Sequence, residues 1–337
     1  MNSTILGSGS WGTALAILLG KKGFPVTLWG LPEEAAALIR DRENAQYLPG
    51  APLPDTVSPT SDLDQALSSS EAVVVAIPSA AVRQVASRLA GRLDAHPELV
   101  EGLLVNAGKG LESDTGLRGS EVLAQELGEE TGRGVVALSG PNLAVELANG
   151  VPTATVVAGR DPERVARAQE LFSCPTLRVY RNPDIVGVEL GGALKNVLAI
   201  GAGISDGLGY GDNTKATLAT RGLVEMTKLG VALGADARTF TGLSGFGDLM
   251  ATCASRLSRN LRLGLMLGQG SSVEDSLAAL GQVAEGMPTC KAAYSLSKKL
   301  GIDVPITEQI HAVLFENKLP KQAVHDLMTR QYKEEYA

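Results

Sequence analysis

The sequence is poor in histidine, cysteine and aromatic residues. His96, His311 and His325 are scattered, with no HExxH and no Cys/His cluster. A protein-held metal is therefore not expected, and any proton carrier in an acid–base site is expected to be something other than histidine. Cys174, Cys253 and Cys290 are odd in number, far apart and in no CxxC. That excludes a disulfide framework and fits a reducing cytoplasm. Positive charge is also scarce: 30 Lys+Arg against 37 Asp+Glu leave a net charge of -7. A chain built for nucleic acid or an anionic membrane would be basic, so any anionic ligand must be gripped by a few placed cations. No stretch reaches the roughly 18 uninterrupted apolar residues that span a bilayer. The opening MNSTILGSGS has neither a basic region nor an apolar run of the kind a signal peptide carries. The expectation is a cytoplasmic chain without membrane insertion.

What is present is enough chain for two domains. In the first half, β-like runs at Thr4–Leu6, Val26–Trp29, Ala72–Ile77, Leu103–Asn106, Val135–Leu138 and Thr153–Val157 alternate with helical patterns such as Thr13–Leu19, Ala81–Leu93 and Gly119–Leu127. Continuous apolar runs such as AVVVAI suit strands buried on both faces. The alternation predicts a Rossmann-type, doubly wound parallel sheet over residues 1–186. Beyond it the segments turn long and helical, at Gly187–Ile204, Lys215–Leu229, Arg259–Leu267, Gln282–Leu300 and Ile306–Phe315. They predict an all-helical second domain over 187–337. A homodimer is the default expectation for such an assembly.

Gly7-Ser8-Gly9-Ser10-Trp11-Gly12 is a GxGxxG placed after a strand and opening a helix. In that context Gly7 makes the tight turn, Gly9 lets the backbone approach a pyrophosphate, and Gly12 allows close helix–strand packing. The plainer alternative is a tight strand–helix turn. Strand ends of a parallel sheet share one edge, so Lys109 in Ala107-Gly108-Lys109-Gly110 and Asn142 in Ser139-Gly140-Pro141-Asn142 are expected beside that loop. Lys109 could equally be a solvated surface lysine.

Two segments of the second half are denser in signal. In Glu189-Leu190-Gly191-Gly192-Ala193-Leu194-Lys195-Asn196, each glycine in a helical pattern costs ~1 kcal/mol relative to Ala, so something is expected to press on the backbone there. Lys195 follows among apolar neighbours. A partly buried lysine has a lowered pKa and trades protons near neutrality; a snorkelling lysine is the open alternative. In Gly242–Asp248 three glycines fall within six positions, and Asp248 ends the loop. Ser258 is placed to cap a helix starting at Arg259, which would aim N–H groups, Arg259 and Asn260 at one anion. A solvated basic helix start is the plainer reading.

GSGSWGTALA, NAGKGLE, LSGPN, ELGGALKN, GLSGFGDLMATCASRLSRN and VAEGMPT stand in this order and spacing along essentially the whole chain. In this the sequence resembles bacterial NAD(P)-dependent glycerol-3-phosphate dehydrogenases. The resemblance implies interconversion of sn-glycerol 3-phosphate and dihydroxyacetone phosphate, supplying glycerol 3-phosphate for phospholipid synthesis. It implies Lys195 as the acid–base group, Lys109 as a second cation near cofactor and substrate, and Asp248 holding Lys195 and a substrate hydroxyl. It further implies Ser258, Arg259 and Asn260 at the phosphate, Gly140 and Asn142 lining the substrate, and Ser10, Trp11, Ala144, Arg259, Val283 and Glu285 at the cofactor. Two departures stand out. Asn142 and Leu143 replace the family's usual Ser or Thr and Phe, and Leu31 and Pro32 replace a basic pair that NADPH-using relatives carry. NADH is therefore expected to serve at least as well as NADPH. The alternatives are a two-domain dehydrogenase of another hydroxy acid, for which Arg259 would have no purpose, and a non-catalytic NAD-binding sensor, for which Lys195 and Asp248 would have none.

Overall fold

The computed structural model describes residues 1–332, 334 and 335. The chain starts with β1 (Ser3–Leu6), α1 (Ser10–Lys21), β2 (Val26–Trp29) and α2 (Pro32–Asp41). A small hairpin, β3 (Glu43–Asn44) and β4 (Leu48–Pro52), precedes β5 (Val57–Thr60) and α3 (Leu63–Leu67). Then come β6 (Ala72–Val75), α4 (Ser79–Ala90), α5 (Glu98–Glu101), β7 (Leu103–Asn106), α6 (Gly119–Leu127), α7 (Glu129–Arg133) and β8 (Val136–Ser139). The sheet region closes with α8 (Ala144–Ala148), β9 (Thr153–Ala158), α9 (Pro162–Phe172) and β10 (Leu177–Asn182). The eight main strands form one sheet in the order β10-β9-β8-β7-β6-β1-β2-β5. The order reverses between β1 and β6, the crevice where doubly wound sheets bind ligands. Apolar side chains alternate between a layer containing Ile5, Leu28 and α1 and a layer containing Leu6, Trp29, Val75 and α4.

One strand pair departs from the expected parallel sheet: β8 and β9 are antiparallel. The only helix between them is the one-turn α8, too short to carry the chain back along the sheet to the starting edge. Two strands left out of the sequence reading, β5 and β10, lie at the two ends of the sheet. Edge strands rich in polar residues carry weak signals, and Pro59 inside β5 is tolerated only because the strand has one neighbour.

Every described element after β10 is helical: α10 (Ile185–Gly207), α11 (Asp212–Ala232), α12 (Ala237–Phe240), a π-helical turn at Leu243–Gly247, and α13 (Asp248–Ala254). The rest are α14 (Arg259–Gly268), α15 (Val273–Leu280), α16 (Gly286–Leu300), α17 (Pro305–Phe315) and α18 (Pro320–Met328). The helix expected from Gln282 begins only at Gly286, because residues 282–285 run as a loop that reaches toward the sheet domain. By length and composition α10 could cross a bilayer, but 94% of its apolar window is buried inside the protein. It is the central core helix, and α14 crosses it at backbone distance. A Cβ on Gly203 would lie 2.0 Å from the Leu261 carbonyl oxygen, and one on Gly264 2.0 Å from that of Ile200. That crossing fixes where α14 begins relative to the polar residues of α10.

Candidate active site

The glycine loop after β1 has the geometry a phosphate cradle needs. Gly7 has φ +118°, and a Cβ there would stand 2.5 Å from the Ala76 carbonyl oxygen, so the turn requires glycine. Gly12 packs against the Gly7 carbonyl, while a Cβ on Gly9 would meet nothing within 4 Å. The N-terminus of α1 has no side-chain cap and no acidic residue in its first turn, which leaves N–H groups and positive dipole to an anion. The Trp11 indole Nε1 is buried without a hydrogen-bond partner. Ser10 opens α1 beside it. Open space and unpaired donors at a helix start with no acidic residue in its first turn together fit a dinucleotide pyrophosphate.

In the helical domain, the two glycines of α10 answer the expectation of close backbone contact. A Cβ on Gly191 would lie 2.6 Å from the Ser244 carbonyl oxygen, and one on Gly192 2.4 Å from Ser139 Oγ. One face of α10 is thus pressed on the π-helical turn, the other on the end of β8. This seats Lys195 one turn further along, buried at 6% exposure. Its Nζ donates to Asp248 Oδ1 at 2.5 Å and to Thr252 Oγ1 at 2.6 Å. Burial pulls the Lys195 pKa down to about 8, with Lys109 adding to the drop and Asp248 opposing it.

Lys109, from the loop after β7, reaches the same carboxylate from the sheet domain. Its Nζ donates to Asp248 Oδ2 at 2.8 Å and to the Gly140 carbonyl at 2.8 Å. Asp248, 2% exposed, starts α13 and takes one ammonium on each oxygen. Thr252, one turn on, donates to the Asp248 backbone carbonyl and so steadies it. Sequence reasoning did not single out Thr252, although its i+4 spacing from Asp248 puts it on the same helix face.

A second group gathers at the start of α14. Ser258 caps that helix as expected, its Oγ accepting from Leu261 N at 3.2 Å. The side chain of Asn260 turns inward: it donates to Asn196 Oδ1 at 2.9 Å and accepts from Gly286 N at 2.9 Å. Asn196 in turn donates to the Lys109 carbonyl at 3.2 Å. The residues beside Lys195 and Arg259 are thereby tied to each other and to the Lys109 loop. Arg259 is largely buried, and burial lowers its pKa against the opposing charges of Glu285 and Tyr47. Glu285 spans the domains, its carboxylate accepting from Ser79 N at 3.0 Å and Ser79 Oγ at 2.6 Å at the start of α4. Burial raises the Glu285 pKa, opposed by the Ser79 bonds and by Arg259. Val283, just before it, is half exposed on the rim.

Asn142 sits beside Gly140 with its amide donating to the Ala154 carbonyl at 2.9 Å. Its Oδ1 is buried without a partner. Ala144 opens α8 close by. A further inter-domain clasp was missed in the sequence. Glu189, on α10, accepts from Arg118 Nη1 at 2.6 Å, Asn106 Nδ2 at 2.8 Å and Ser120 N at 2.9 Å. The available signal was an acidic residue inside an otherwise apolar helix, which implies a buried partner.

These features define a two-domain nicotinamide-dependent dehydrogenase: a Rossmann sheet facing a helical domain, with a buried lysine–aspartate pair where the two meet. A family profile described as the NAD-dependent glycerol-3-phosphate dehydrogenase N-terminus matches residues 2–165, and the corresponding C-terminus profile matches residues 184–325. The chain belongs to the NAD-dependent glycerol-3-phosphate dehydrogenase family. It is 51% identical over 327 residues to a glycerol-3-phosphate dehydrogenase (NAD(P)+) of Pelotomaculum thermopropionicum, covering 97% of this chain and 92% of that one. A relative of the same name from Moorella thermoacetica is 50% identical over 328 residues, covering 97% and 95%. The crystal structure of glycerol-3-phosphate dehydrogenase from Coxiella burnetii superposes with a TM-score of 0.90 at 39% identity, covering 98% of this chain and 99% of that one.

Proposed function

We propose that this chain interconverts sn-glycerol 3-phosphate and dihydroxyacetone phosphate in the cleft between residues 1–186 and 187–337, with NAD(H) or NADP(H) on the Gly7 loop. The observation that carries the reading is the pair of lysines on Asp248, one from each domain. When bound, the nicotinamide donates or accepts the hydride at its C4. The protein must orient the substrate and move one proton. In ketone reduction, Lys195 Nζ gives its proton to the oxygen on substrate C2; in alcohol oxidation it takes the hydroxyl proton back. A pKa drawn down to about 8 keeps both forms within reach near neutrality. Asp248 holds Lys195 in place, and Lys109 supplies a second positive charge where the C2 oxygen becomes negative.

Arg259 and the free N–H groups at the start of α14 grip the substrate phosphate. Ser258 and Asn260 serve there through the helix cap and backbone, since their side chains have partners within the protein. Gly140 and Asn142 line the substrate, and the unpartnered Asn142 Oδ1 can accept from one of its hydroxyls. Ser10, Trp11, Ala144, Val283 and Glu285 border the cofactor. The cytoplasm and a homodimer belong to the same reading, supported by three unpaired cysteines and by the prevalence of two-fold assemblies among such enzymes. The product, glycerol 3-phosphate, is the form consumed in phospholipid synthesis. The test is loss of NADH or NADPH absorbance on adding dihydroxyacetone phosphate to the purified protein. Reduction of a phosphate-free 2-oxo acid with no reaction of dihydroxyacetone phosphate would overturn the reading.

A further inference from the structure

We propose that Glu34 makes the adenosine end of this nucleotide site selective for an unphosphorylated ribose, so that the chain takes NADH and rejects NADPH. The proposal rests on the reading above, that the Gly7 loop holds the dinucleotide.

Strand β2 runs parallel to β1, with Trp29 beside Leu6. Gly7 N donates to the Trp29 carbonyl at 2.8 Å, so the glycine loop and the end of β2 lie side by side at one sheet edge. Gly30 is the first residue past the strand, and a Cβ there would stand 2.0 Å from Ser8 Oγ. Only glycine lets Ser8 lie against this end. Glu34, in the first turn of α2, folds back into the same corner. Its Oε2 accepts from Ser8 Oγ, and the Leu31 N–H points at it from 3.4 Å. The Tyr47 phenol, on the connection between β3 and β4, has its pKa raised by burial and then by the Glu34 carboxylate facing it. That connection is itself docked on the loop through Asn44, which donates to the Ser8 carbonyl at 2.7 Å.

A carboxylate at the junction of the glycine loop and the second strand, about 20 residues past the loop, accepts from the ribose 2′-hydroxyl of NAD. A 2′-phosphate in the same place sets anion against anion, and tolerating it takes a cation. The nearby arginines are committed elsewhere. Arg40 is 71% exposed and paired with Asp41. Arg42 donates to the carbonyls of Pro54 and Val57 at 2.8 and 2.9 Å. Val57 pairs with Val26, the first residue of β2, which puts the Arg42 head at the opposite edge of the sheet. Arg88 lies 5.2 Å from the Trp29 ring centroid. The Trp29 side chain belongs to the layer beneath α3 and α4. Gly30, one residue on, faces the other side of the sheet, where Ser8 and Glu34 lie. Arg259 is buried facing the opposing charge of Glu285, and the reading above gives it to the substrate phosphate. At the strand end itself, Leu31 is exposed and apolar, and Pro32 has no N–H to offer.

The experiment is isothermal titration of the intact protein with NADH, NADPH, ADP-ribose and 2′-phospho-ADP-ribose at matched low ionic strength, followed by the same titrations of Glu34→Gln. Glutamine keeps an oxygen for Ser8 Oγ and removes the charge. The wild-type Kd for NADH should be at least about tenfold below that for NADPH, with the same order for the two nicotinamide-free fragments. Glu34→Gln should shrink that ratio by about fivefold or more. Leu31→Arg, at an exposed position outside the core, should tighten NADPH without disturbing Ser8, and it keeps the test open if Glu34→Gln unfolds. Equal affinities, tighter NADPH, or a ratio indifferent to both substitutions would overturn the selectivity. Binding of none of the four would instead overturn the placement of the dinucleotide on the Gly7 loop.

Discussion

Lys109 and Lys195 each hold a different oxygen of one carboxylate, that of Asp248, at 2.8 and 2.5 Å. Two ammonium groups so close in a buried site repel each other, and Asp248 is what keeps both there. The Lys195 pKa of about 8 is the balance of burial and Lys109 against Asp248. With Lys195 in the proposed acid–base role, ketone reduction needs its protonated form, so kcat/KM for dihydroxyacetone phosphate should fall as pH rises through about 8. Oxidation of glycerol 3-phosphate needs the neutral form and should rise through the same pH. Asp248→Asn removes the main influence that raises this pKa. The limb of the reduction profile should move down by more than about one unit, and a limb left in place would mean that another group titrates.

Arg259 carries the substrate phosphate in this account. Arg259→Ala should raise KM for dihydroxyacetone phosphate far more than it lowers the rate at saturation. Loss of a charge-assisted grip on a buried phosphate costs ~2–5 kcal/mol. The check is discrimination between dihydroxyacetone phosphate and dihydroxyacetone. A mutant that still favours the phosphorylated ketone as strongly as wild type would show that the phosphate is held elsewhere.

Glu225 gives the helical domain a pH-dependent stability unconnected with the reaction. This buried glutamate on α11 caps α17, accepting from Ile306 N at 2.6 Å and from Thr307 N and Oγ1 at 3.0 Å. Desolvation nonetheless raises its pKa to about 7. Because the folded pKa lies above the unfolded one, the folded state binds more protons between them, and stability is lost as pH rises toward 7. Between pH 5.5 and 8 this one group should cost about 2 kcal/mol. Chemical denaturation of wild type and Glu225→Gln at both pH values should show that difference narrowing to near zero in the mutant. A parallel pH response in the two proteins would remove Glu225 as its source.

Much of the site is legible in sequence because its residues lie in segments that break local rules. Gly191 and Gly192 weaken a helix for a reason visible only as cost, and the structure supplies it in Ser244 and Ser139. Lys195 in an apolar stretch, and a lysine between glycines after a buried strand, are anomalies of the same kind. What stayed hidden depends on distant partners. Asn44 on the Ser8 carbonyl and Glu189 on Arg118 are ordinary polar residues until the chain folds. The sequence pattern points Asn260 at a phosphate, yet its side chain is drawn inward by Asn196 and Gly286, which no local pattern foretells. Edge strands β5 and β10 fall in the same class, since one neighbour demands little of the sequence.

The most direct test is the rate of hydride transfer in Lys195→Ala, measured in a single turnover with dihydroxyacetone phosphate, alongside NADH affinity from titration. General acid–base catalysis contributes about 100- to 10,000-fold, and Lys195 belongs to α10 of the helical domain rather than to the Gly7 loop. The account predicts a fall in that range with the Kd for NADH within about threefold of wild type. A mutant that transfers hydride within about threefold of the wild-type rate would contradict it and return the proton to another group.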